Sequence, residues 1–187
     1  FSLHVSVAAS LQVGQALSEE ECQRLVAQDA AHRAYEQALH YLKYRPRSAA
    51  EVASYLRDKK ATEEAIQDVL AKLQERRWVD DAAFAAFWIE NRESFKPRSR
   101  HALRVELRQK GISDQIIETS LADVDELASA YEAARGRAAR LAHLDYQTFR
   151  RRLGGFLQRR GFGYDEIKET VERLWRECGS ERDDARH

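Results

Sequence analysis

Apolar residues recur along this chain at helical spacing, and the same ladder is written three times. Leu56, Ile66, Leu70 and Leu73 are followed 51 residues later by Leu107, Ile117, Leu121 and Val124. A third, more diverged set, Leu157, Ile167, Val171 and Leu174, lies 50 residues further on. A ladder repeated at one spacing predicts three copies of one supersecondary unit. Both prolines belong to it, because Tyr44-Arg45-Pro46-Arg47-Ser48 returns as Phe95-Lys96-Pro97-Arg98-Ser99. Stacked repeats bury a shared core and offer an extended surface, which suits binding better than catalysis.

Each repeat reads as three helices. In the first, Ala38, Leu39 and Leu42 lie on a helix that must stop before Pro46, since the preceding residue is pushed out of helical geometry. Ser48 caps a second helix carrying Val52 and Leu56, and Thr62 caps a third that opens on Glu63 and Glu64. In the second repeat Asp80 or Asp81 caps a helix with Phe84, Phe87 and Trp88. Ser99 starts the next, Gly111 suits its left-handed end, and Ser113-Asp114 opens the third. The last repeat has a helix from about Leu127 to His143, a second capped by Asp145 or Thr148 and ended by Gly161, and a third opened by Asp165-Glu166.

The N-terminus differs. Leu3, Val5 and Val7 alternate loosely before Gly14, which predicts a short extended or β cap over 2–11. Ser18 to Glu21 forms a capping box for a short helix over about 18–28, and Asp29 can cap its successor. The expected architecture is therefore all-α: three tandem three-helix repeats in an elongated, curved molecule. The segments are a cap over 1–28, repeats over 29–79, 80–125 and 126–178, and a frayed polar tail over 179–187.

Composition fits this picture. Only 8 Gly and 2 Pro interrupt 187 residues, so long helices are expected. No apolar run approaches the ~20 residues that span a bilayer. No signal peptide is visible, so the cytoplasm is the expected compartment. The chain begins at Phe1 rather than Met, and an upstream segment is expected. Cys22 and Cys178 match no metal or redox spacing and are expected to be reduced thiols.

Net formal charge is zero, yet charge is sorted by helix. Residues 96–111 carry Lys96, Arg98, Arg100, Arg104, Arg108 and Lys110 against the single acid Glu106. Residues 112–132 carry six acids and no base, and 135–160 carry eight arginines against Asp145. Arg100, Arg104 and Arg108 share one stripe at i, i+4 and i+8, where like charges repel. The stripe can be an anion-facing surface for phosphate or an acidic protein groove, or it can pair with the neighbouring acidic helix. With Arg57, Arg98 and Lys110, and with Arg150, Arg151, Arg152, Arg159 and Arg160 of the third repeat, it forms the candidate partner- or nucleic-acid-binding set. In the first repeat Ala49 and Ala53 replace the first two arginines, so the footprint centres on repeats two and three.

Catalytic chemistry finds no support. The six histidines show no HxxxH or HExxH spacing, so no metal is expected. Gly154-Gly155 sits inside a helix and no phosphate-binding glycine motif occurs, so no cofactor is expected. Trp78, Trp88 and Trp175 read as packing residues.

Three phrases together resemble a known family. Arg47-Ser48 to Leu56, Trp78-Val79-Asp80-Asp81-Ala82-Ala83-Phe84-Ala85, and Glu106-Leu107-Arg108-Gln109-Lys110-Gly111-Ile112 are similar, in order and spacing, to the bacterial RecX regulators of the RecA recombinase. The resemblance spans about residues 17–178. Two positions depart from the family: Lys60 and Pro97 stand where Gly is common. The resemblance implies three tandem three-helix repeats in a monomer. It also implies binding to RecA and to the RecA–DNA filament in its helical groove, weaker direct contact with DNA, no membrane partner, and inhibition of recombinase, ATPase and coprotease activities. A direct DNA-binding helical protein and a helical scaffold for another partner remain open alternatives.

Overall fold

The computed structural model describes residues 3–9, 11–12 and 14–184. Among these, the elements are α1 (Val5–Ala8), α2 (Glu19–Leu42), α3 (Ala49–Asp58), α4 (Glu63–Glu75), α5 (Asp81–Phe95), α6 (Arg100–Gln109), α7 (Asp114–Leu121), α8 (Glu126–Leu141), α9 (Tyr146–Gln158) and α10 (Tyr164–Asp184). The fold is all-α, with no strand among the described residues. Helices α2–α4, α5–α7 and α8–α10 are three tandem three-helix groups. By packing, the chain divides into two compact units, Phe1–Phe84 and Ala85–His187.

The caps follow the sequence closely. Ser48, Thr62, Ser99, Ser113, Asp125 and Asp145 are N-caps whose side-chain oxygens accept a backbone N–H three residues on. Each satisfies a donor that the first helical turn leaves free. At the start of α5 it is Asp80 that accepts from Ala82 and Ala83, at 2.9 and 3.0 Å. Gly111 and Gly161, with φ of 77° and 91°, end α6 and α9 in the left-handed region. The equivalent end of α3 is Lys60, held at φ 63° despite its side chain.

In the first unit α2 packs on α3 and α4, and Val52, Leu56, Ile66, Val69 and Leu73 fill the core beneath Ala34 and Ala38. In the second, α8, α9 and α10 pack on one another. There Ala130, Ala134 and Ala138, spaced by one turn, let Phe149, Leu153 and Leu157 approach the α8 backbone. Leu56, Leu107 and Leu157 are all fully buried, as their shared place in the ladder requires.

Three local expectations are corrected. The extended cap is instead a single helical turn, Val5–Ala8, with Val7 and Ala8 both donating to the His4 carbonyl. A lone strand has no ladder partner here, so the backbone satisfies itself locally; Ser2 and Ser10 lie outside the described residues. Asp29 caps nothing, because α2 runs unbroken from Glu19 to Leu42. Asp29 is buried within it, accepting the His4 N–H and pairing with Arg33 at 2.7 Å. The polar tail is helical as far as Asp184, and residues 185–187 lie outside the described set.

Candidate partner-binding surface

The arginine stripe of α6 faces α7. Arg104 holds Glu118 through two hydrogen bonds of 2.6 and 2.8 Å, and Arg108 holds Asp114 at 2.7 Å. Arg100 turns to the end of α7, donating from Nε to the Val124 carbonyl at 2.8 Å and from Nη2 to that of Ala122 at 3.0 Å. A guanidinium suits these carbonyls at and just past the end of α7, where the negative end of the helix dipole lies. The side-chain hydrogen bonds raise the pKa of Arg104 and Arg108 and hold Glu118 and Asp114 below the usual carboxylate range. In this structure the stripe pairs with the acidic helix. The first repeat repeats it, with Arg57 on Glu63 at 2.7 and 3.1 Å.

Arg98 and Lys110 belong to a second cluster, between α5 and α6. The Glu106 carboxylate accepts from Trp88 Nε1 at 2.8 Å and Arg92 Nε at 2.7 Å, and pairs with Arg98 at 2.9 Å. Arg92 and Lys110 both lie over the Trp88 ring, at 4.6 and 5.0 Å. In the third repeat Arg137 and Arg160 both lie over the Phe156 ring, at 4.9 and 4.7 Å. In the first repeat Arg47 covers Tyr41 at 3.9 Å, and Tyr41 stacks on Tyr55 at 4.2 Å. Arg160 also donates to the Pro97 carbonyl at 2.9 Å. Burial, and then the nearby Arg98 charge, lower its pKa.

The remaining arginines differ. Arg150, Arg151, Arg152 and Arg159 are exposed, and among the described residues none has an ion-pair partner. The third repeat places glycine and glutamine, at Gly154 and Gln158, where α6 has Arg104 and Arg108. Its surplus charge therefore sits at the start and end of α9.

Two exposed aromatics went unnoticed in the sequence. Tyr44 and Phe95 are 71% and 77% exposed and occupy the same place in successive repeats. Each opens a proline phrase, and that recurrence was the available signal. Trp88, Arg92 and Glu106 were also missed as a set, because the cluster forms only when α5 meets α6.

Three tandem three-helix groups define an all-α helical-repeat protein. Sequence models of the RecX first, second and third three-helix domains match residues 34–73, 80–121 and 123–171 in that order. The chain belongs to the RecX family of regulatory proteins. It is 34% identical over 169 residues to the regulatory protein RecX of Geobacillus sp. strain WCH70, covering 86% of this chain and 60% of that protein. With the RecX of Chlorobium phaeobacteroides it shares 35% identity, over 77% of this chain and 95% of the relative. It therefore spans about three-fifths of the Geobacillus protein and nearly all of the shorter one. The crystal structure of RecX from Lactobacillus salivarius superposes with a TM-score of 0.69 at 25% identity, covering 79% of this chain and 97% of that one. Another RecX crystal structure gives a TM-score of 0.74 at 24% identity, covering 92% and 89%, and shares the fold. Among the described residues no helix is long and apolar enough to cross a membrane.

Proposed function

We propose that this chain binds the RecA–DNA filament in its helical groove and restrains the recombinase, ATPase and coprotease activities of RecA, without catalysis of its own. The observation that carries this reading is the full set of three RecX domains in family order. The basic residues support a contact with an anionic partner, Arg150, Arg151, Arg152 and Arg159 foremost because no carboxylate among the described residues pairs with them. The paired residues Arg57, Arg98, Arg100, Arg104, Arg108, Lys110 and Arg160 would join only by exchanging their present partners. Exposed Tyr44 and Phe95 add the kind of aromatic anchor that dominates protein interfaces. Direct contact with DNA is the weaker, accessory part of the interaction.

The test compares binding of the purified chain to RecA–single-stranded-DNA filaments, to RecA alone and to bare DNA, with filament ATP turnover followed in parallel. Much tighter binding to the filament, with falling turnover, is expected. Equal affinity for bare DNA would make the chain a DNA-binding protein, and binding to neither would make it a scaffold for another partner.

A further inference from the structure

The N-terminal arm brings a histidine to two residues of α2 from which it is distant in sequence. His32 and Glu36 lie one turn apart on α2, and His4 approaches from the arm that leads into α1. Glu36 Oε1 is 3.5 Å from His32 Nε2 and 3.7 Å from His4 Nε2. The candidate donor atoms of all three lie within 4.8 Å of one another. The two imidazole rings are tilted, with centroids 4.2 Å apart.

We propose that His4, His32 and Glu36 form a binding site for a divalent transition-metal ion, Zn²⁺ in particular, that clasps the N-terminal arm to α2. Zinc is bound by imidazole nitrogen and carboxylate oxygen at about 2.0–2.2 Å, so tetrahedral donors sit roughly 3.3 Å apart. The two carboxylate–imidazole separations exceed that by only a few tenths of an ångström. The donor set, two imidazoles and one carboxylate, is suited to zinc, while hard Mg²⁺ prefers an all-oxygen shell. Three protein ligands leave a fourth position for water. The arm is also fixed independently of any ion. The buried Asp29 carboxylate, on the same face of α2, accepts the His4 backbone N–H and is itself paired with Arg33. That contact holds the backbone of His4 itself against α2. Side chains of His4 and His32 are 32% exposed and that of Glu36 54%, so an ion has a path in.

The experiment titrates the untagged, chelator-treated full chain with Zn²⁺ by calorimetry, and with Co²⁺ by visible absorption. Saturable 1:1 binding is expected, with the intense d–d bands of four-coordinate Co²⁺ and a rise in melting temperature that Mg²⁺ does not produce. His4→Gln, His32→Gln and Glu36→Gln should each weaken Zn²⁺ by at least the roughly 10–100-fold that loss of an outer-shell partner brings. His143→Gln should leave it unchanged. Independently of any variant, Zn²⁺ should shift the imidazole nitrogen resonances of His4 and His32 and not those of His40 or His101. No saturable binding, binding that survives His4→Gln and His32→Gln together, or shifts confined to other histidines would overturn the proposal.

Discussion

The carboxylate of Asp81, in the first turn of α5, accepts the backbone N–H of Ala49 at 2.8 Å, so it caps a helix to which it does not belong. Its neighbour Asp80 caps α5 itself. The next repeat divides the work in the same way. Asp125 caps α8 through Ala128 at 3.0 Å, and Glu126 reaches the N–H of Arg100, first residue of α6, at 3.2 Å. A paired acid at each of these helix starts thus serves two helices. Asp81→Ala should lower stability by about 0.5–2 kcal/mol, the range for a lost cap. Denaturant unfolding should show a lower midpoint with an unchanged slope, and the Ala49 amide should exchange faster. Asp81→Asn, which keeps an acceptor oxygen, should recover most of the loss.

The ends of α3 and α9 make opposite predictions at equivalent positions. Lys60 occupies left-handed backbone at φ 63°, a conformation that costs an L-residue roughly 1–2 kcal/mol. Lys60→Gly removes that strain but adds about 0.4–1 kcal/mol of unfolded-chain freedom. A net gain between zero and about 1.6 kcal/mol in thermal or denaturant unfolding is expected. Gly161 has φ 91°, and a Cβ there would lie 2.5 Å from Ser99 Oγ and 3.0 Å from Ala102 Cβ. Gly161→Ala should therefore cost more than about 1 kcal/mol, by strain and by pushing the end of α9 off the buried cap of α6.

Much of this was legible in the sequence because it is local. The apolar ladder, the Ser and Thr caps and the glycine helix ends all act within a few residues, so their signals stand next to one another. What escaped depends on contacts between elements. Asp29 has the residue type of a cap, but no Gly or Pro stops α2 before it, and its carboxylate finds the His4 N–H and Arg33 instead. Glu106 looked like a lone acid in a basic run, whereas it gathers Trp88, Arg92 and Arg98. Histidine spacing hid the His4–His32–Glu36 cluster because one member comes from the arm.

The α6–α7 ion pairs should fade in acid. Folded Asp114 and Glu118 bind protons less tightly than unfolded carboxylates do, since Arg108 and Arg104 hydrogen-bond their charged forms. Their stabilisation is present above the ordinary carboxylate pKa of about 4. It is lost as pH falls through the lower folded values, where the unfolded chain takes up more protons. Arg104 is half-buried and the other three groups are exposed, so the effect is small and salt-sensitive. In Arg104→Gln/Arg108→Gln, the deficit in melting temperature against the parent should be greatest near neutral pH and shrink towards pH 3 and in high salt. A deficit that grows on acidification would show that these arginines stabilise the fold through something other than Asp114 and Glu118.

Tyr44 and Phe95 should matter to binding and little to folding. Each is more than two-thirds exposed, so truncation opens no cavity. Tyr44→Ala and Phe95→Ala should melt within about 0.5 kcal/mol of the parent, as surface substitutions do. If they anchor the RecA filament, each should weaken binding by roughly tenfold or more, the loss of more than 1 kcal/mol that marks the energetically important minority of interface residues. Unchanged filament affinity in both variants would remove the aromatics from the interface.

The arginines of α9 give the most direct test of the basic surface. Arg150, Arg151 and Arg152 are exposed and have no ion-pair partner among the described residues, so replacing all three with Gln breaks no pair seen in the structure. Melting temperature should stay level or rise slightly as mutual repulsion is relieved. Filament binding should weaken, and its salt dependence should flatten. Every phosphate that is no longer neutralised lowers the slope of log affinity against log salt by about 0.7 on single strands and about 0.9 on duplex, so three such phosphates would lower it by roughly 2–3. Reversal at Arg104 and Arg108 should behave differently. Glutamates there would face Glu118 and Asp114, so melting should drop while the affinity of the folded fraction changes less than in the α9 variant. If the α9 variant binds filament with unaltered affinity and slope, the protein does not reach the phosphates through α9.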